Sequence, residues 1–518
     1  MMKQQQMPPK TALERTCNIA LQAWQRQDYS QYFKIMEQAA RQNPANHRLL
    51  IDLGTSYGRR FNFAEAERCY EKAIRVAPRK GDALVLAATM SRGLDRYDMA
   101  RKYFERAVQE PGVSSDTLIK LAEVYERFRL LDQACELVDR ALRLSPANAL
   151  GSLVHARLDR LSGRKEEAER RLRPLLALSG QDSWSTRIRG WYEMGMVLDA
   201  QGRYEEAMTA FLEAKKMILP NAQHMVAAQK GMHERLKHAR ETLSAEMLER
   251  WRAQGPASQP PRRLALLCGH PRSGTTLLEQ VLDSHPGFVS AEETMVFSRE
   301  SFGFLLRGKM QANTLMLPTL EAASVGTLQE ARRNYIQCME RVLGHPADDR
   351  ILIDKNPSLT GLVPAFVRIF PEAKLLVALR DPRDVCLSCF MQPLPMSQGS
   401  SMFLTLETTV QEYVSIMGLW KVTSTCLGHG YMEVRYEDVV EDLEGVSRRA
   451  LEFLGVAWDD RVLRFNEYTQ KKLVRSPTYA AVAKPITKGA VGRWRNYQKH
   501  LEPYQEMLAP LVKSFGYE

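Results

Sequence analysis

No apolar run in this sequence approaches the roughly 18 residues that a membrane-crossing helix needs, so a helical span is not expected. Its start, Met1-Met2-Lys3-Gln4-Gln5-Gln6, lacks the apolar core of a secretory signal. Cysteine is sparse: eight scattered through 518 residues are not the dense framework of a disulfide-stapled domain. Cys386 and Cys389 form a Cys-x2-Cys pair with no second pair or histidine beside it, which reads as buried thiols, so no metal site is expected. These absences set a reduced, cytoplasmic compartment as the expectation. Net charge is +11, yet there is no long Lys/Arg block and no RNA-binding aromatic motif, so nucleic acid is not expected as a partner. A small polyanion or an acidic peptide suits a basic chain equally well.

At 44% hydrophobic, the chain can form two or more packed domains. Ala66, Ala100, Ala134 and Ala168 recur every 34 residues, the tetratricopeptide period. Around Ala66 the pattern is complete: Leu53-Gly54, Tyr57, Tyr70, Ala73 and Pro78. After a degenerate fourth copy, a fifth carries Met194-Gly195, Ala207, Phe211 and Ala214. A small residue at the alanine position lets two helices approach, and the aromatic of the next turn fills the gap between pairs. Tyr57, Tyr70, Phe104 and Phe211 are therefore expected to pack rather than to bind. The predicted helical solenoid covers residues 12–240. A helix end and linker follow over 241–262, the latter marked by Gly255-Pro256 and Pro260-Pro261. The concave groove of such a solenoid is a candidate peptide site; a spacer or a dimer surface is the alternative use.

The second half, 263–518, opens on an apolar run, Leu264 to Cys268, followed by Gly269-His270-Pro271-Arg272-Ser273-Gly274-Thr275-Thr276. Leu277, Leu278, Val281 and Leu282 then recur at helical spacing. A glycine turn between a buried strand and a helix N-terminus gathers backbone N–H groups toward an anion. The spacing is that of a phosphate-binding loop, but Thr275 stands where a nucleoside triphosphatase places its lysine. A smaller anionic group is the better expectation. Ile351 to Ile353, Leu375 to Leu379 and Met432 to Tyr436 read as further strands of a parallel α/β sheet. Asp354-Lys355, Arg380-Asp381 and Tyr436-Glu437 fall at their C-terminal ends, where such sheets bind ligands.

Pro271 to Leu277, Asp283-Ser284-His285-Pro286 and Glu292-Glu293-Thr294 keep one spacing with Arg380-Asp381-Pro382-Arg383, Ser388 and Lys355. Over roughly 263–500 this set resembles the sulfotransferases that use 3'-phosphoadenosine-5'-phosphosulfate (PAPS), most closely the protein-tyrosine sulfotransferases. The resemblance implies an N-terminal tetratricopeptide solenoid joined to an α/β sulfotransferase domain, with PAPS as co-substrate. It implies that Arg272, Ser273, Gly274, Thr275 and Thr276 hold the 5'-phosphosulfate. Arg380 and Ser388 would hold the 3'-phosphate, with Lys488 and Arg493 as further candidates from a Lys-Gly…Gly-x-Trp region. Tyr436 matches a tyrosine near the adenine, and Thr478 a serine near the sulfuryl group. Glu293 matches the general base, and Lys355 the lysine that neutralises the leaving oxygen; Arg272 shares that stabilising role.

Two departures stand out. Met295 replaces an arginine that arranges the acceptor in those enzymes, and a membrane anchor like that of the animal enzymes is not expected from these residues. Tyrosine is the expected acceptor. The alternatives are a glycan or small hydroxyl acceptor, and a repeat scaffold without chemistry. Intact Arg272, Glu293, Lys355, Arg380 and Ser388 speak against the scaffold. A kinase is disfavoured, because the loop lysine is absent and no carboxylate arrangement for Mg²⁺ is evident.

Overall fold

The 34-residue alanine period becomes a series of helix pairs in the computed structural model, which describes residues 11–180, 183–254, 263–307, 315–394, 396–471 and 486–517. Helices Ala12–Gln25, Tyr29–Gln42, His47–Arg59, Phe63–Val76, Lys80–Gly93, Tyr97–Ala107, Ser115–Arg127 and Leu131–Leu144 come first. Ala149–Leu161, Lys165–Leu176, Trp184–Ala200 and the 39-residue Tyr204–Thr242 follow. Several start on asparagine: the side chains of Asn46, Asn62 and Asn148 accept from the N–H three residues on, satisfying a donor the helix leaves open.

Ala66, Ala100, Ala134 and Ala168 are wholly buried, as are Tyr70, Phe104 and Phe211. A Cβ at Gly54 would lie 2.9 Å from the Tyr70 ring, and one at Gly195 2.6 Å from that of Phe211. Only glycine permits these helices to close on the aromatic. Tyr57 is half-buried, stacks on Phe33 at 4.4 Å and donates to Glu37. The aromatics expected to pack do so.

Packing divides the chain into two units. One comprises Met1–Glu126 and Asp132–Pro146; the other comprises Arg127–Leu131 and Ala147–Glu518. The later repeat helices thus belong with the second half. Leu153, Leu172 and Phe211 share one hydrophobic core with Phe390, Trp494 and Leu501. The helix end expected within 241–262 is Ala245–Ala253, whose Trp251 is buried; residues 255–262 lie outside the described range.

The sheet has five parallel strands: β1 Leu264–Gly269, β2 Phe288–Glu292, β3 Ile351–Lys355, β4 Lys374–Leu379 and β5 Tyr431–Arg435. Their order is β2-β3-β1-β4-β5. β1 and β3 are buried along their whole length, while β5 is largely half-exposed at the edge. The chain leaves β1 for β2 on one side and leaves β4 for β5 on the other, so the crevice at the C-terminal ends of β1 and β4 is the topological switch point. Two sequence expectations need adjustment. β2 was not anticipated, and Tyr436 begins the helix Tyr436–Glu441 instead of ending β5. Among the described residues, no helix is long and apolar enough to cross a membrane.

Candidate functional site

The loop leaving β1 is shaped by two glycines. Gly269 has φ 134°, and a Cβ there would lie 2.3 Å from the Ala378 carbonyl oxygen of β4. The Thr360 hydroxyl secures it from both sides, accepting from the Gly269 N–H at 2.8 Å and donating to its carbonyl at 2.7 Å. Gly274 has φ 93° and caps the helix Thr275–Asp283; a Cβ there would sit 2.7 Å from the Tyr436 ring. No side chain caps this helix, so the positive end of its dipole is left to the loop. Ser273, Thr275 and Thr276 are buried around the same turn.

Two guanidinium groups meet there. Arg272, held at φ 74°, donates from Nε to Ser388 Oγ at 3.0 Å. Arg380 donates to the Arg272 carbonyl at 3.2 Å and to the Ala490 carbonyl, and its guanidinium carbon lies 5.0 Å over the Tyr436 ring. Among the described residues Arg272 forms no ion pair with a carboxylate, and burial, reinforced by the charge of Arg380, pulls its pKa down to about 10. Asp384 lies 3.7 Å from Arg380 but accepts from the Gly492 and Trp494 N–H groups at 2.8 and 2.7 Å. Gathered positive charge at an open helix N-terminus is an arrangement that a bound anion would relieve.

The third part lies where β2 and β3 end together, with Glu292 in register with Lys355. Lys355 is wholly buried, and its Nζ is 2.7 Å from Glu293 Oε1, 3.2 Å from Glu292 Oε1 and 3.5 Å from Glu279 Oε2. Burial by itself lowers a lysine pKa. Here the carboxylates of Glu279, Glu292 and Glu293 outweigh it and hold the ammonium well above its usual range. Glu293 has φ 50°, and its side chain is 38% exposed, which leaves the carboxylate reachable from outside. Next along β3, Asp354 accepts from the Tyr335 hydroxyl at 2.9 Å, and burial raises its pKa to about 7.

The structure therefore brings Arg272, Ser273, Gly274, Thr275, Thr276, Arg380, Ser388 and Tyr436 together, with Lys355 at the end of β3 and Glu293 just past the end of β2. Lys488 is exposed, 3.9 Å from Glu441. Arg493 pairs with Asp199 of the helix Trp184–Ala200, although its charge still reaches Arg272. Thr478 lies outside the described residues. Two histidines near the loop are buried. His270 is wholly buried, and burial lowers its pKa to about 4. His285 bonds the Ala457 carbonyl through Nε2 and the Gly287 N–H through Nδ1. Cys386 and Cys389 are buried thiols in the helix Pro382–Met391. Sequence reading overlooked Glu279, because within Leu277 to Leu282 it looks like the exposed position of an amphipathic helix.

Residues 265–460 match the model of the sulfotransferase family, and residues 51–114 and 188–218 match tetratricopeptide-repeat models. The chain thus joins a sulfotransferase-family domain to tetratricopeptide repeats. It is 25% identical over 425 residues to an uncharacterised Aquifex aeolicus protein, covering 81% of this chain and 53% of that one. It is 28% identical over 261 residues to protein-tyrosine sulfotransferase A of Caenorhabditis elegans, covering 48% of this chain and 66% of that one. With the Drosophila melanogaster protein-tyrosine sulfotransferase it shares 27% over 274 residues, covering 49% of this chain and 52% of that one. The chain spans between about half and two thirds of the length of each of these relatives.

Proposed function

We propose that this protein transfers a sulfuryl group from PAPS to an acceptor hydroxyl, and that the acceptor is a protein tyrosine. One juxtaposition carries the reading: an uncapped glycine loop with two adjacent guanidinium groups stands beside the Glu293–Lys355 pair. The names of the animal relatives support the same chemistry.

The residues fit such a donor. Gly269 and Gly274 let the loop turn close against the Ala378 carbonyl and the Tyr436 ring, and Arg380 Nε is a buried donor without a hydrogen-bond partner among the described residues. Arg272 and the loop from Ser273 to Thr276 would hold the 5'-phosphosulfate. Arg380 and Ser388 would hold the 3'-phosphate, Arg380 through its fork of donors. Tyr436 would lie against the adenine, Lys488 and Arg493 would add charge at the 3' side, and Thr478 would stand near the sulfuryl group. The Arg272–Ser388 hydrogen bond would then tie the two phosphate subsites together.

Bound PAPS supplies a sulfuryl group activated by its link to phosphate, which the acceptor oxygen takes as 3',5'-ADP departs. A tyrosine hydroxyl, with a pKa of about 10, is protonated at neutral pH and needs a base. Glu293 takes that proton as the oxygen–sulfur bond forms. Lys355 and Arg272 supply positive charge for the oxygen left on the nucleotide. The repeats present the peptide. The described cysteines are all free thiols, which suits a cytoplasmic setting.

Met295 favours a second reading. It is 45% exposed beside the proposed base, where the resemblance calls for an arginine. An apolar group there suits a glycan or small hydroxyl acceptor better than an acidic peptide. The test is to incubate the full chain with PAPS and either an acidic tyrosine-peptide library or a glycan panel, and to read the products by mass spectrometry. Sulfated tyrosine supports the first acceptor and sulfated sugar the second; no sulfated product in either arm contradicts both.

A further inference from the structure

Glu279 is a wholly buried carboxylate that neither anion binding nor proton transfer employs. It stands on the loop's own helix, Thr275–Asp283. Its Oε1 accepts from the Ser290 hydroxyl of β2, and its Oε2 is 3.5 Å from Lys355 Nζ. With Glu292 at 3.2 Å and Glu293 at 2.7 Å, one ammonium faces three carboxylates. Side-chain exposure separates them: 0% for Glu279, 5% for Glu292 and 38% for Glu293. Two are sealed in the floor of the site, and the third faces the acceptor side.

An ammonium that neutralises a single carboxylate lowers that carboxylate's affinity for a proton; one shared among three does so far less. Resting on the sulfotransferase reading, we propose that Glu279 is a positioning residue. It draws Lys355 into the floor of the site and withholds part of its charge from Glu293, so that Glu293 stays basic enough to accept the acceptor proton. The other charged groups near Glu293 are Glu292 on β2 and Arg272 on the loop, whose charge Glu293 influences. Asp354 directly precedes Lys355 on β3, on the opposite face of the strand, where it meets Tyr335.

Glu279→Gln keeps the size of the side chain and an oxygen for Ser290 but removes one charge. The pH dependence of kcat/KM is compared between the parent and variant full chains. The acid limb is expected to move down by about 0.5 pH unit or more with a lower plateau, while 3',5'-ADP affinity stays within twofold. Glu292→Gln should move the limb the same way, and Glu279→Asp, which restores the charge, should bring it back toward the parent. An acid limb that does not move in Glu279→Gln overturns the proposal. A second measurement needs no turnover: NMR of isotope-labelled glutamate carboxyls, with the Glu293 signal identified by its loss in Glu293→Gln. That signal should titrate at lower pH in Glu279→Gln; an unchanged titration again overturns it. Absence of sulfuryl transfer by the parent chain would instead fault the sulfotransferase reading.

Discussion

Lys355 and Glu293 are tied twice. The ammonium lies 2.7 Å from the carboxylate, and the Glu293 N–H donates to the Lys355 carbonyl, also at 2.7 Å. The backbone bond secures Glu293 in the left-handed region, at φ 50°, a conformation costing a non-glycine residue about 1–2 kcal/mol. Strain of this kind persists only where surrounding structure enforces it, and here it turns a carboxylate outward from the end of a buried strand.

If that carboxylate is the base, Glu293→Gln should lower turnover by about 10²–10⁴-fold. Affinity for 3',5'-ADP should hardly change, because the amide keeps the size and the hydrogen bond to Lys355. Glu292→Gln, which alters a buried neighbour, should cost much less. Steady-state rates read beside calorimetric affinities check this, with thermal melting of each variant to confirm folding.

In the proposed reading Arg380 bears on the nucleotide and not on the acceptor. Arg380→Ala should weaken 3',5'-ADP by about tenfold or more, the value of one or two charge-assisted hydrogen bonds. Binding of 5'-AMP, which lacks the 3'-phosphate, should barely move. The unaltered chain should prefer 3',5'-ADP to ATP, since no loop lysine is present to meet a γ-phosphate. Isothermal calorimetry of the three nucleotides tests both statements.

Ala100 is wholly buried in the helix Tyr97–Ala107, beside Tyr103 and Phe104. Ala100→Trp should overpack that contact and destabilise its unit by about 1–3 kcal/mol or more. Calorimetric unfolding of the full chain should show a lowered transition while nucleotide binding persists.

Lys215 makes stability depend on pH. It is buried on the helix Tyr204–Thr242 against the Phe390 ring and donates to the Phe403 carbonyl, and burial lowers its pKa to about 7. The folded chain then binds fewer protons at Lys215 than the unfolded chain does, so stability rises with pH between about 7 and 10.5. In Lys215→Met this contribution disappears. The variant's melting temperature, relative to the parent's, should be highest near pH 7 and decline toward pH 10; a difference independent of pH would contradict the sign.

Much of this organisation is legible in the residues themselves. The 34-residue alanine period marks the repeats because small residues are obligatory where helices cross, and β1, β3 and β4 appear as continuous apolar runs because both faces are covered. β2 was missed for the converse reason: Ser290 and Glu292 break its apolar pattern, and both serve the buried polar floor of the site. Glu279 was missed because helical spacing cannot distinguish an exposed glutamate from one buried against a lysine 76 positions away. The pairing of Arg493 with Asp199 depends on later repeat helices sharing a core with the second half of the chain, which no local pattern records.

The most direct measurement follows the sulfur. The full chain is mixed with PAPS labelled in its sulfuryl group and the acceptor panel, and the label and the nucleotide are traced together through a single turnover. The account predicts that the label passes to an acceptor hydroxyl with one 3',5'-ADP released for each transfer. Label that stays on intact PAPS across the panel, or transfer of a γ-phosphoryl group from labelled ATP instead, would contradict it.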